Sequence, residues 1–210
     1  MTQTIVVTGT GTGIGKTIFS AGLAAFLGAK YWKPVQAGLI GGTDSEHVAR
    51  LGGLARDRIL PERYRLKTPA SPHRAAEIDG VCIDTESLHA PDSGRSPLII
   101  EGAGGLMVPL SRSKLYIDVF AAWRFPVLLC APTALGTINH SLLSVEALRN
   151  RAIDILGIAF IGDENDDTES TICRIGRVRR LGRLPWLSTL SADTLQAAFA
   201  ASFRRDDFQR

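Results

Sequence analysis

The run Gly9-Thr10-Gly11-Thr12-Gly13-Ile14-Gly15-Lys16-Thr17 joins a glycine-dense turn to a lysine and a threonine hydroxyl, residue types suited to holding a nucleoside triphosphate. Glycines admit positive φ and let successive N–H groups turn inward on phosphate oxygens, at the positive end of a helix expected to open near Lys16. Lys16 would then reach the β and γ phosphates. The Thr17 hydroxyl would ligate Mg2+, a cation that takes oxygen ligands. The opening glycine is Gly9, one residue further from Gly15 than the standard spacing places it, so the loop is a longer variant. A dinucleotide fingerprint fits worse, because counted from Gly9 it needs a glycine where Ile14 stands. The competing reading is an ordinary glycine-rich turn from strand to helix.

Three charged residues further on could serve the same chemistry. Lys33 closes the run Lys30-Tyr31-Trp32-Lys33 before Pro34. At the carboxyl end of a parallel strand it shares a rim with the phosphate loop; otherwise it is a surface lysine beside a turn. Asp44 follows Gly41-Gly42-Thr43 and either caps a helix over 45–51 or belongs to a metal shell. Glu101 ends Pro97-Leu98-Ile99-Ile100-Glu101, ahead of Gly102-Ala103-Gly104-Gly105. A strand ending in one carboxylate and then glycines can deliver a second magnesium ligand and let the backbone approach the γ phosphate; the alternative is a strand-end charge in solvent. Thr137 or Asn139, at a helix N-terminus, could receive a carboxylate or act as a cap. His73 has no second histidine or carboxylate at ligand spacing and is not a metal ligand.

The elements that must position these residues alternate. Strands are expected over 4–8, 30–33, 97–101, 125–130, 153–161 and 183–185, and helices over 18–27, 45–51, 115–123, 141–149, 168–179 and 195–203. The long stretch 55–97 is irregular, with helices around Ala75 and over 85–89. The pattern predicts an α/β fold of the P-loop NTPase type, a doubly wound, mainly parallel sheet with helices on both faces. Residues 1–210 form one domain in this reading. The net charge of +3 is small and the basic residues are dispersed, apart from 174–183, read as a solvated helix face, and Arg204-Arg205. Nucleic acid is therefore not an expected partner. No run of eighteen apolar residues and no basic-apolar leader occurs, so no membrane is expected and the cytoplasm is the default location. Cys82, Cys130 and Cys173 are read as buried, reduced thiols.

Taken together, the loop over 9–17, Lys33-Pro34-Val35-Gln36-Ala37-Gly38, Thr43-Asp44-Ser45, Ser71-Pro72-His73, Glu101-Gly102-Ala103-Gly104-Gly105, Leu135-Gly136-Thr137-Ile138-Asn139-His140 and Leu184-Pro185-Trp186-Leu187 resemble dethiobiotin synthetase in order and spacing over nearly the whole chain. The resemblance implies a ligase of biotin synthesis that uses ATP and Mg2+ to close 7,8-diaminopelargonic acid with CO2 or bicarbonate into the ureido ring of dethiobiotin, by way of a carbamate and a carbamic-phosphoric anhydride. It implies that Lys16 and Lys33 are catalytic, neutralising the transferring phosphoryl group and the carbamate. Thr17, Asp44 and Glu101 would hold magnesium. Nucleotide contacts would come from Gly13, Ile14, Gly15, Lys16, Thr17 and Ile18, from Asp44, Glu101, Gly102, Ala103 and Gly104, and from Ile161, Gly162, Pro185, Trp186 and Leu187. Thr12, Lys33 and the Ala37 backbone would meet the diamine. The family is a homodimer with its site at the interface, so Leu135, Gly136 and Asn139 would come from the second subunit and hold the substrate carboxylate.

Three departures from the family pattern matter. Gly11 stands where an acidic residue is common and Ala37 where serine occurs, which thins the polar shell around the diamine. Ile161 stands where the family often reads adenine with asparagine, and a hydrocarbon side chain cannot make that hydrogen bond. Losing one or two such contacts is worth about 1–3 kcal/mol, which predicts a weaker preference for ATP unless backbone near Gly162 and Pro185 compensates. Two other classes share part of the motif set. A partitioning-type switch ATPase carries a second lysine early in the loop, where this chain has Thr10, and a cobyrinate-type synthetase needs a glutaminase cysteine that none of the three cysteines supplies. A non-catalytic nucleotide-binding module would not need Lys33, Asp44 and Glu101 together.

Overall fold

The computed structural model describes residues 3–209. In chain order the elements are β1 (Thr4–Gly9), α1 (Lys16–Leu27), β2 (Lys30–Trp32), β3 (Val35–Ala37), α2 (Asp44–Gly52), β4 (Ile59–Leu60), β5 (Tyr64–Leu66), α3 (Pro72–Ile78), β6 (Leu98–Gly105), α4 (Tyr116–Trp123), β7 (Val127–Pro132), α5 (Thr137–Arg149), β8 (Ile155–Ile161), α6 (Asp166–Gly176), β9 (Arg180–Leu184) and α7 (Ala192–Ser202).

The central strands are largely apolar, in β1 from Ile5 to Val7 and in β6 from Leu98 to Ile100, because both faces of the sheet are covered. Along β1 the side chains alternate between the two sides. Ile5 and Val7 join the core of Phe19, Leu23 and Phe199, and Val6 joins that of Trp32, Tyr116 and Phe120. Both cores lie at about zero exposure. Phe19 and Phe203 meet edge to face, with centroids 5.5 Å apart, and hold α1 and the chain beyond α7 on one side. Every pairing in the seven-stranded sheet is parallel, in the order β4-β2-β6-β1-β7-β8-β9. Connections diverge at β1, so the switch point falls at its carboxyl end, where such sheets open a crevice for ligands. The doubly wound parallel fold expected from the sequence is the one observed. Among the described residues no helix is long and apolar enough to cross a membrane.

Several local expectations are corrected. The strand expected to stop at Glu101 continues through the glycines to Gly105, because Gly9 pairs with Gly105 across a register shift. The helix expected at 141–149 opens at Thr137, which places Thr137 and Asn139 inside its first turn. The helix expected to run to Arg179 ends at Gly176, with Arg177 in the left-handed conformation, and Arg180 starts β9; the basic stretch is therefore a helix end, a turn and a strand. No helix forms over 85–89, where the chain makes a turn. β3 and β5, a separate parallel pair, and the two-residue β4 were not anticipated. Cys130 is buried, but Cys82 is exposed and Cys173 only partly covered.

Candidate active site

The turn after β1 enters α1 through Gly15, whose φ of 92° lies where a side chain is strained. A methyl group there would also press on Ile161 Cγ2 at 3.2 Å. Glycine at this position thus lets the loop turn into α1 close against Ile161 at the exit of β8. The loop meets β6 on its other side, where a Cβ at Gly104 would fall 3.1 Å from Thr12 Oγ1. Lys16, the first residue of α1, is 6% exposed and donates from Nζ to the Gly11 carbonyl at 2.6 Å. Burial lowers its pKa, Glu101 works against that shift, and the like charge of Lys33 adds to it.

Lys33 follows β2 and Glu101 stands in the neighbouring β6. The Lys33 ammonium lies 3.1 Å from Glu101 Oε1 and 2.6 Å from Asp44 Oδ2, and donates to the Gly102 carbonyl at 3.1 Å. It is buried, so the surface reading of Lys33 falls, as does the reading of Glu101 as a strand-end charge in solvent. Burial alone would depress the lysine, but Glu101 and Asp44 outweigh it and hold the ammonium above its ordinary range. For Asp44 burial pushes up, yet Lys33 and then the Thr17 hydroxyl hold the carboxyl below its usual value.

Glu101 Oε1 also accepts the Thr17 hydroxyl at 2.9 Å, while Oε2 accepts the buried Tyr31 phenol at 3.0 Å. Asp44 does not cap its own helix. Thr43 does, in a capping box with Glu46, and the Asp44 N–H donates to Gln36 Oε1 at 3.0 Å. This aims the Asp44 side chain at Lys33. Tyr31 and Gln36 were not singled out from sequence. Tyr31 was findable, since it sits two residues before Lys33 and alternation puts both on one face; Gln36 gave no signal.

Lys16, Lys33, Gln36, Asp44 and Glu101 line a cleft of about 670 Å3, with Tyr31 behind Glu101 and outside its walls. Its walls include Thr12, Gly13, Gly15, Thr17 and Ile18 from the loop and α1, Ala37 and Asp44, and Glu101, Ala103 and Gly104 from β6. Ile14 packs inward, against the place a Cβ on Gly9 would take. Ile161 is buried against Gly15, and Gly162 follows it toward Trp186, which is 62% exposed. Pro185 and Leu187 flank that tryptophan after β9. Leu135, Gly136 and Asn139 are exposed and stand outside the walls of this cleft. Thr17 Oγ1, Glu101 and Asp44 form an oxygen-only donor set, the chemistry that suits Mg2+.

A parallel sheet with a lysine-bearing glycine loop at its switch point defines the chain as a P-loop nucleotide-binding protein. A family model described as an AAA domain matches residues 3–194. The MinC:MinD cell division protein complex of Aquifex aeolicus is similar in fold, with TM-score 0.54 and 14% identity over 93% of this chain and 86% of that one. So is a ParA family ATPase of Chlorobium tepidum, with TM-score 0.52 and 13% identity over 95% and 91%. Curated relatives are far nearer in sequence. ATP-dependent dethiobiotin synthetase BioD of Bradyrhizobium diazoefficiens is 69% identical over 208 residues, 99% of each chain. The synthetase of that name from Rhodopseudomonas palustris is 69% identical with equal coverage. The chain belongs to the ATP-dependent dethiobiotin synthetase family. The likeness to the MinD and ParA structures shows the fold alone.

Proposed function

We propose that this chain, as one domain, closes 7,8-diaminopelargonic acid and CO2 into the ureido ring of dethiobiotin, converting ATP to ADP and phosphate in the cleft described above. One amine adds to CO2 and loses a proton, giving a carbamate. A carbamate oxygen attacks the γ phosphorus and ADP leaves. The second amine then attacks the carbamate carbon, and phosphate departs carrying the former carbamate oxygen. The observation that carries this reading is Lys33: a buried ammonium lining the same cleft as the phosphate loop, balanced by two carboxylates.

Lys16 binds the β and γ phosphates and Lys33 the oxygens passing between carbamate and phosphorus, where charge builds up; each unit charge at about 4 Å is worth on the order of 4 kcal/mol at intermediate dielectric. The two lysines are already balanced by Asp44 and Glu101, so a triphosphate leaves a surplus of negative charge that calls for a cation. Thr17, Asp44 and Glu101 would hold Mg2+, which would supply that neutralisation. The phosphate-loop groups from Gly13 to Ile18 and Gly102 to Gly104 hold the phosphates. The base lies along Ile161, Gly162 and 185–187, and Thr12 and the Ala37 backbone meet the diamine.

The enzyme acts as a homodimer in the cytoplasm. Leu135, Gly136 and Asn139 of a second copy hold the substrate carboxylate, a role supported by their exposure and by their absence from the walls of their own cleft. Bicarbonate labelled with 18O tests the chemistry: one labelled oxygen should appear in the released phosphate. Unlabelled phosphate, with label retained in dethiobiotin, would exclude the mixed anhydride.

A further inference from the structure

Glu169 of α6 is 1% exposed, and a carboxylate so buried is almost always paired. Both of its partners come from the basic stretch that the catalytic reading leaves unused. Arg180 donates from Nε to Oε2 at 2.7 Å, and Arg183 Nε stands 3.2 Å from Oε1, a charge contact. Arg180 remains 45% exposed, whereas the Arg183 side chain is 19% exposed and its remaining nitrogens are engaged. Nη1 donates to the Gly162 carbonyl at 3.4 Å and Nη2 to Glu164 Oε2 at 3.0 Å. One planar guanidinium therefore bridges helix α6 and the loop that leads into it.

That loop begins at the strand exit beside the phosphate loop. Ile161 touches Gly15, Gly162 N donates to the Leu184 carbonyl at 3.0 Å, and Thr133 N donates to the Ile161 carbonyl at 3.1 Å. Because the Ile161 side chain offers no polar atom, any polar reading of a base here falls to backbone N–H and C=O groups. Such groups discriminate only when their orientation is fixed. Adenine and guanine reverse the donor and acceptor on their six-membered edges, so a fixed backbone separates them and a loose one does not.

We propose that Arg183, anchored by Glu169, is a positioning residue that holds the 162–164 loop as the wall reading the nucleobase, and so sets the preference for ATP over GTP. This rests on the nucleotide site proposed above. The base is remote from the reacting phosphorus, so its contacts are the same in ground and transition states. Arg183→Met should raise KM for ATP about five- to tenfold, leave kcat within about twofold, and lower the ATP-to-GTP ratio of kcat/KM by about the same five- to tenfold. Arg183→Lys should recover part of both. An unchanged ATP-to-GTP ratio in Arg183→Met overturns the proposal, whether KM stays put or rises equally for both nucleotides. If Arg183→Met fails to fold, Arg183→Lys and Glu169→Gln carry the test, read the same way. Calorimetric binding of ADP against GDP gives the same comparison without turnover. A wild-type chain that discriminates ADP from GDP yet forms no dethiobiotin would contradict the proposed reaction and leave the role of Arg183 intact.

Discussion

Lys33 Nζ lies 3.1 Å from Glu101 Oε1 across two neighbouring strands, with both side chains almost sealed from solvent. Asp44 closes the other side of the same ammonium at 2.6 Å. The pairing seats a buried ammonium just past the end of β2, beside the middle of β6, and the fold cannot lose it without leaving the buried Glu101 carboxylate uncompensated.

Lys33→Met should therefore cost stability as well as activity. Removing one partner of a buried ion pair typically costs about 3–5 kcal/mol, which for a chain of this size lowers the melting temperature by roughly 6–20 °C. Differential scanning calorimetry measures it, and dethiobiotin formation should fall at least about a hundredfold. Lys33→Arg should recover part of the stability but little activity, since a planar fork does not fit where a point charge meets three oxygens. A Lys33→Met protein as stable as the wild type would show that the pair is not what the geometry makes it.

The same cluster sets a pH window. Asp44, held below its ordinary 3.8, contributes stability above that value and loses it as pH falls through the lower folded value. Lys33, held above its ordinary 10.5, contributes stability below that value and loses it as pH rises through the higher folded one. Urea midpoints should form a plateau between about pH 4 and about pH 10 that drops at both ends. In Lys33→Met the alkaline drop should shrink; an unaltered profile would contradict the assignment.

Tyr31 gives Glu101 Oε2 its hydrogen bond from a fully buried phenol. Tyr31→Phe keeps the ring and removes only that donor, leaving a buried carboxylate oxygen unsatisfied at a cost of about 1–3 kcal/mol. The melting temperature should fall, and calorimetric Mg2+ affinity in the presence of ADP should change with it. Equal stability and equal Mg2+ affinity in the two proteins would remove Tyr31 from the site.

Base preference follows from Ile161. Without a side-chain amide, discrimination rests on backbone, and losing one or two base contacts is worth about 1–3 kcal/mol. Competition among ATP, CTP and GTP should show a preference for ATP below about a thousandfold. A larger preference would mean that a reader elsewhere in the cleft has been overlooked.

What the sequence disclosed was local. The phosphate loop, its lysine and threonine, and Glu101 ahead of its glycines can be read because their chemistry lies within one short run. The burial of Lys33 could not be, because it depends on Glu101, which lies in another strand, and on Asp44, which Gln36 and the Thr43 cap orient. The β6 strand outran its expected end because glycine is poor in strands, while pairing with β1 outweighs that propensity here. In the basic stretch a helical period persisted past Gly176, and only the left-handed Arg177 shows that the helix stops. The pair β3 and β5 carried too few residues to give any periodic signal.

The most direct test of the central claim is phosphate release from MgATP by the purified chain, with and without 7,8-diaminopelargonic acid and bicarbonate, with dethiobiotin followed in parallel. Phosphate that appears only with the diamine, one for each dethiobiotin formed, is the predicted result. Hydrolysis that ignores the diamine, or dethiobiotin formed without matching phosphate, would contradict it.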